Sequence, residues 1–202
     1  MGNEAGRPSR VVQIEKKAPY SMDDDFLNNT TYKTISEIKD LIEKRICVTV
    51  GIVKDFTSGK SWWYKGCNNC PNAVKEERNT YKCPNCQWKA ATFTPKYALN
   101  LKVADEDSCA SFIMYETVGS DYLNISASDL RTKYIMRGGN KNEFPVELDK
   151  FKDMTFFFKV SVKLENLNSF QPISIIVMKL CHDDSIINSF IKKYNLEQEI
   201  CN

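Results

Sequence analysis

Four of the eight cysteines could hold a metal ion, because they stand in two CxxC pairs. Cys67 and Cys70 form the first pair, Cys83 and Cys86 form the second, and twelve residues separate the pairs. Each CxxC turn aims two thiolates at one point, and two such turns complete a tetrahedron of sulfur ligands. We predict one Zn²⁺ here, since zinc accepts four thiolates and the spacing is typical of a zinc ribbon.

This site would be structural rather than catalytic, because four protein ligands leave no position for water. Two disulfides, a redox-active CxxC pair and an iron site with the same ligands are the alternatives that the spacing leaves open. Cys47, Cys109 and Cys181 lie in apolar, strand-like surroundings, which favours buried free thiols and a reducing compartment.

The sequence shows no obvious catalytic constellation. Its single histidine, His182, is followed by two aspartates, which is typical of a helix cap rather than of a nucleophile–base pair. Together with the closed metal site, this predicts a protein that is not an enzyme.

The segment around the cysteines is basic, although the whole chain carries a formal charge of only +2. Seven basic and two acidic residues lie between Lys60 and Lys96, which gives this segment a charge of +5. Such a field suits a polyanion, although a small hairpin can also be lysine-rich for solubility. Trp62, Trp63 and Trp88 flank the cysteines and could stack on bases or pack the hairpin onto its neighbour. We expect one tryptophan of the adjacent pair to be buried, because neighbours on a strand face opposite sides.

Alternating apolar residues predict five strands, over residues 45–56, 97–105, 109–115, 154–164 and 173–180. Residues 126–136 and 184–198 are predicted helices. The fold class is therefore all-β with accessory helices, a five-stranded OB-fold barrel with an inserted zinc ribbon at about 62–88. We expect a flexible segment over 1–30, the barrel over 31–182 and a C-terminal helix within 183–202. In the alternating strands, Tyr97 and Phe112 are expected to lie in the core.

The stretches VTVGIVKDF, WYKGC, YKCPNC, PKYALNLKVAD, SFIMYE and MTFFFKVSVKLE, in this order, resemble one known family. It is the C-terminal DNA-binding domain of the replication protein A large subunit. The lead-in to the ribbon, from Ser58 to Tyr64, is most similar to the plant members. The resemblance implies a nuclear, single-stranded-DNA-binding subunit that acts in DNA replication, recombination, repair or telomere maintenance. It also implies smaller partner subunits that assemble through a helix bundle. We expect no membrane partner, because no run approaches the ~18 apolar residues needed to span a membrane.

Binding of a single strand to an OB-fold needs cations for phosphates and aromatic rings for bases. The candidates are Lys54, Phe56, Lys60, Trp62, Trp63, Lys65, Trp88, Lys89, Lys96, Tyr115, Lys163 and Phe170. The C-terminal helix carries an apolar stripe that either binds partner helices or docks on its own barrel. It consists of Ile186, Ile187, Phe190, Ile191 and Tyr194.

The sequence departs from the family where relatives carry stacking aromatic residues. Those positions correspond to Ala110, Met114 and Leu167, and none of them is aromatic here. Tyr115 and Phe170 lie nearby, but a shift of one residue in a strand changes its face. The alternative function is therefore an assembly scaffold that has the fold and binds DNA weakly or not at all.

Overall fold

The computed structural model describes residues 24–28, 30–140, 143–164 and 173–194. Its strands and α-helices are numbered in chain order. The strands are β1 (Thr31–Tyr32), β2 (Arg45–Phe56), β3 (Trp63–Gly66), β4 (Lys75–Glu77), β5 (Thr80–Lys82), β6 (Lys89–Ala90), β7 (Thr94–Ala104), β8 (Cys109–Tyr115), β9 (Thr155–Leu164) and β10 (Ile173–Cys181). The α-helices are α1 (Ile35–Lys39), α2 (Glu116–Leu123), α3 (Ala127–Met136) and α4 (Asp184–Tyr194). A π-helical turn spans Asp24–Asn28 and a 3-10 helix spans Val146–Phe151.

Five long strands form a closed barrel in the order β2-β9-β10-β8-β7, and β7 pairs with β2 to complete the circle. β8 and β10 run parallel, whereas the other neighbours in the barrel are antiparallel. The predicted five-stranded OB-fold barrel with accessory helices is thereby confirmed. Because the barrel is closed, each of these five strands has a neighbour on both sides, and none of them is an edge strand.

The strand register decides which side chains fill the barrel. Leu99 pairs with Met114 and Leu101 pairs with Phe112, and these four side chains are fully buried. Because side chains alternate along a strand, the intervening residues of β7 and β8 face outward. Tyr97, at the start of the barrel part of β7, is also fully buried. The expectation that Tyr97 and Phe112 belong to the core is confirmed.

Two helices follow β8 and close one side of the barrel. α3 begins after Ser126, whose hydroxyl caps the helix by accepting a hydrogen bond from the Asp129 backbone N–H at 3.1 Å. α2 was not predicted. Its first residue, Glu116, accepts hydrogen bonds from the backbone N–H groups of Tyr97 at 2.7 Å and Ala127 at 3.2 Å. This one carboxylate therefore joins both helices to β7.

The helix α4 packs against the barrel of its own chain. Phe190 is fully buried, with its ring centroid 4.5 Å from that of Phe157 in β9, and Ile186 is also buried. Phe26, from the segment predicted to be flexible, is fully buried in the same cluster. The prediction that Ile186 and Phe190 bind a partner is therefore contradicted, because both side chains are covered by their own chain.

The other three residues of the apolar stripe are partly buried against the same cluster: Ile187, Ile191 and Tyr194. Within the described part of the chain, no helix is long and apolar enough to cross a membrane.

The cysteines outside the CxxC pairs differ in environment. Cys47 and Cys181 are both buried, and burial raises the pKa of the Cys47 thiol to about 11. Cys109 is exposed at the start of β8, which corrects the expectation that it is buried.

Candidate metal centre and nucleic-acid groove

The four CxxC cysteines come together at one end of the ribbon, which comprises β3 to β6. Their sulfur atoms all lie within 4.8 Å of one another. The Cys67 and Cys86 sulfurs are 3.6 Å apart, and those of Cys70 and Cys83 are 3.5 Å apart. In a tetrahedron with metal–sulfur bonds of about 2.3 Å, the sulfur atoms are about 3.8 Å apart. The cluster therefore has the donors and the size to hold a metal ion.

The ionisation of the thiols also fits a cation at their centre. The backbone N–H of Asn72 is the main cause that lowers the pKa of Cys70, to about 6. The pKa of Cys83 is raised to about 11: the backbone N–H of Cys86 favours its thiolate, but burial and the neighbouring sulfurs outweigh that effect. Four thiolates this close repel one another, so full ionisation of the cluster requires a bound positive charge.

Lys96 stabilises the first CxxC turn through hydrogen bonds from its side chain. Its ammonium group donates hydrogen bonds to the carbonyl oxygens of Cys67 at 2.8 Å and Cys70 at 2.9 Å. Its methylene groups cover Gly66, where an added Cβ would lie 2.5 Å from the Lys96 side chain. Lys96 therefore connects the cysteine cluster to β7.

The ribbon is attached to the barrel through the adjacent tryptophans. Trp62 is buried beside Tyr97, with 6.0 Å between the ring centroids. Trp63 is half-buried, stacks on Phe93 and lies 4.3 Å from the guanidinium of Arg131 in α3. The expectation that one of the two tryptophans is buried is confirmed. These contacts fix the angle of the ribbon, since they come from both the barrel and α3.

A groove of about 920 Å³ separates the ribbon from the barrel. The ribbon wall and the barrel wall are formed by different parts of the chain. The lining residues are Tyr64, Pro71, Asn72, Ala73 and Lys96 from the ribbon and its connection, and Ala98, Tyr115, Glu116, Thr117, Lys163 and Ile176 from the barrel and α2. Tyr115 is 41% exposed, and its ring meets that of Tyr64 edge to face at 6.2 Å.

Of the predicted nucleic-acid residues that the structure describes, three line this groove, namely Lys96, Tyr115 and Lys163. Phe56 and Trp62 are each only 4% exposed, and Phe56 stacks on Phe144 inside the molecule. The structure contradicts a nucleic-acid contact for these two rings, because no base can reach them.

The remaining candidates lie elsewhere. Lys54 borders a separate cavity of about 270 Å³ beside the acidic turn at Asp105 and Glu106. Lys65 pairs with Glu76 within the ribbon, and Trp88 packs against the cysteine cluster. Lys60 and Lys89 are exposed outside the groove. Phe170 and Leu167 lie outside the described residues.

The strand register corrects the comparison with the family's aromatic positions. Met114 is fully buried and Ala110 packs against the core, so both face the inside of β8. The outward residues near the end of that strand are Ile113 and Tyr115, which pair with Asn100 and Ala98 of β7. The exposed aromatic residue of β8 is therefore Tyr115, one position away from the expected one.

Sequence reasoning missed Tyr64 and Ile176. A signal for Tyr64 was present in the sequence. It directly follows Trp62 and Trp63 in the strand that enters the ribbon, where side chains alternate between the two faces. Ile176 gave no signal, since a half-buried isoleucine in an apolar strand has the same sequence pattern as a core residue.

Comparison with solved structures identifies the same architecture. A chain of a replication protein A heterotrimer bound to ssDNA superposes with a TM-score of 0.64 and 17% identity. That match covers 82% of this chain and 40% of the other, so this chain spans less than half the length of that relative. A chain of yeast RPA bound to ssDNA gives a TM-score of 0.59 and 16% identity, with 83% and 97% covered. At these identities the likeness shows the fold.

A comparison with curated proteins finds no significant sequence match. The sequence pattern described as "Replication factor-A C terminal domain" matches residues 47–186, which is more than half of the chain. This range contains the ribbon and all of the barrel except the first two residues of β2, and it ends in the first turn of α4. The chain therefore belongs to the replication factor-A C-terminal domain family.

Proposed function

We propose that this protein binds single-stranded DNA in the groove between the ribbon and the barrel. The observation that carries the proposal is the exposed ring of Tyr115 in the wall of a groove of about 920 Å³. OB-folds bind single strands by stacking bases on aromatic rings and by neutralising phosphates with cations. Here Tyr115 would stack a base, and the exposed Lys163 would face a phosphate across the groove.

The acidic residue of the groove is compatible with this function. Both carboxylate oxygens of Glu116 accept backbone N–H hydrogen bonds, from Tyr97 and from Ala127. Backbone N–H groups offset part of the negative charge, so Glu116 repels a phosphate less than a free carboxylate would. Its role in the proposal is to hold α2 and β7 in place.

We propose Zn²⁺ as the ion of the cysteine cluster, since four thiolates in a tetrahedron are its preferred structural donor set. Bound zinc supplies charge neutralisation and cross-links, with no open position for catalysis. Cys67 and Cys70 follow the strand that carries Tyr64, so the cluster would fix one wall of the groove.

The function is tested by titrating a labelled thymidine oligonucleotide of about 20 nucleotides and following fluorescence anisotropy at low salt. We expect Tyr115→Ala to weaken binding by about 5- to 150-fold, because one stacked base contributes about 1–3 kcal/mol. Tyr115→Phe is the matched control, since it retains the ring and should bind like the wild type. Absence of binding by the wild-type protein at low salt would reject the proposal.

Assembly with partner subunits is a second proposal. One similar structure belongs to a heterotrimer, and α4 still exposes part of Ile187, Ile191 and Tyr194. If the protein is a scaffold without a DNA-binding role, it should co-purify with partner helices and show no affinity for the oligonucleotide.

We place the protein in the nucleus, in DNA replication, recombination, repair or telomere maintenance, as the family suggests, with no catalytic activity of its own. Isolation of the endogenous complex tests the partners and the compartment together.

A further inference from the structure

Three lysines form a straight row across the small sheet of the ribbon. Lys75 of β4 pairs with Lys82 of β5, and Lys82 pairs in turn with Lys89 of β6. Residues paired directly across antiparallel strands point to the same face of a sheet. With neighbouring strands about 4.8 Å apart, the row places three positive charges in line over about 10 Å.

This arrangement is unfavourable for the isolated protein, because like charges directly opposite one another destabilise a sheet. The acidic residue Glu76 lies on the other face, where it pairs with Lys65. Among the described residues, no carboxylate lies within ion-pairing distance of Lys75, Lys82 or Lys89. Glu77 shares their face one pair further along, next to Arg78. No ion pair among the described residues therefore neutralises the row, and an external polyanion would supply the missing counterions.

The position of the row relates it to the groove. Ala73 forms part of the groove wall, and Lys75 follows it by only two residues. The opposite face of the ribbon sheet is occupied, since Tyr81 packs edge to face on Phe93 at 4.9 Å. A strand that leaves the groove past Ala73 would thus meet the lysine row rather than the packed face.

We infer that the row of Lys75, Lys82 and Lys89 binds the phosphate backbone of the same DNA strand, beyond the segment held in the groove. This inference rests on the proposed function. The row itself presents no aromatic ring and no apolar side chain, so it fits a backbone of evenly repeated charges. An acidic peptide would need apolar anchors beside the charges to bind with specificity.

The test compares the full chain with its Lys75→Gln/Lys82→Gln/Lys89→Gln variant. Affinity for a thymidine oligonucleotide of about 20 nucleotides is measured between 50 and 200 mM salt. Each phosphate contact to a single strand contributes about −0.7 to the slope of log affinity against log salt, so the variant should lose about 2 units of slope. Over this salt range the wild type should then weaken about 20-fold more than the variant.

Two controls accompany this experiment. The Lys39→Gln/Lys150→Gln/Lys192→Gln variant removes the same charge from exposed positions on other elements and should keep the wild-type slope. Thermal melting should show that the ribbon variant is at least as stable as the wild type, because repulsion across the sheet is relieved.

The possible outcomes separate the two proposals. If the wild type binds and the ribbon variant keeps its slope, the groove is retained and the lysine row is refuted. If both lysine variants lose slope equally, the effect is one of net charge, and the row is again refuted. Binding of polyglutamate is measured in parallel. If the ribbon variant keeps its salt slope for the oligonucleotide but loses binding to polyglutamate, the row binds acidic peptides and the inference is refuted. If the wild type binds no oligonucleotide, the proposed function and this inference fall together.

Discussion

Asp183 holds the first turn of α4 through a single carboxylate oxygen. That oxygen accepts hydrogen bonds from the Ser185 hydroxyl at 2.6 Å, the Ser185 backbone N–H at 2.8 Å and the Ile186 backbone N–H at 3.4 Å. The Ser185 hydroxyl is the main cause that holds the pKa of Asp183 below its usual value, followed by the two backbone N–H groups. The ionised form therefore caps a helix that covers part of the core.

Because of this lowered pKa, part of the stability of α4 depends on pH and is lost in acid. Since the pKa of Asp183 is lower in the folded state, its contribution is present above the unfolded-state value and is lost as pH falls through the folded-state value. We expect the wild type to lose more free energy of unfolding between pH 5 and pH 3 than Asp183→Asn. Asparagine caps equally well but does not titrate.

Urea denaturation at the two pH values measures this difference. Asp184→Asn serves as the neighbouring control, because no capping bond of Asp184 is part of this arrangement. Equal losses for the wild type and Asp183→Asn would show that the carboxylate does not stabilise the helix.

At the residue scale, the cysteine cluster was predictable and the side chains that line the groove were only partly so. The CxxC spacing identifies its four residues because metal ligation depends on local turns. The face of a strand residue depends on register, which the partner strand sets, so Met114 and Tyr115 could not be told apart from the sequence. Phe56 and Trp62 are aromatic residues near lysines, yet their burial is decided by tertiary neighbours such as Phe144.

The ribbon is the element whose structure would depend most on a metal ion bound by the four cysteines. Its small sheet, β4-β5-β6, is separate from the sheet of the barrel. Its cluster has three buried members, Cys67, Val74 and Cys83, with five partly buried side chains packed around them. So few buried side chains cannot offset the entropy of ordering the ribbon. Structural zinc adds on the order of 10 kcal/mol to modules of this size.

We expect a chelator, or Cys83→Ser, to unfold the ribbon while the barrel remains folded. Trp63 and Trp88 should then become more exposed to solvent, and affinity for the oligonucleotide should fall because Tyr64 no longer forms a groove wall. Tryptophan fluorescence, metal content per chain and anisotropy measure these effects. Cys109→Ser is the matched control, since that thiol is exposed and lies outside the cluster. Unchanged fluorescence and affinity after complete removal of the metal would contradict this expectation.

Element prediction succeeded where the local signal and the tertiary environment agree. The strands β2 and β8 begin and end at the predicted residues, because alternation and flanking turns mark their limits. The helix α2 was missed because its sequence, ETVGSDYL, contains Thr, Val and Gly, which form helices poorly. It is held instead by Glu116 and by Gly119, which allows the Tyr97 ring to approach closely. Such contacts cannot be inferred from an eight-residue segment.

At the scale of the whole molecule, the groove and the attachment of α4 use different residues. The α4 cluster contains Phe26, Val48, Phe157 and Phe190, and none of its members lines the groove. The two regions share only the barrel between them. Mutations at distant sites without common partners usually have additive effects. The fold therefore allows stability and DNA binding to be changed separately.

We expect Phe190→Ala to lower the free energy of unfolding by about 3–5 kcal/mol, since it removes a fully buried ring from contact with Phe157, Tyr32 and Tyr194. Its affinity for single-stranded DNA should equal that of the wild type under conditions where both are folded. Ser189→Ala, on the exposed side of α4, is the control for stability. In the double variant with Tyr115→Ala, the loss of stability and the loss of affinity should each match the single variants. A loss of affinity in Phe190→Ala alone would contradict this expectation and show that α4 and the groove are coupled through the barrel.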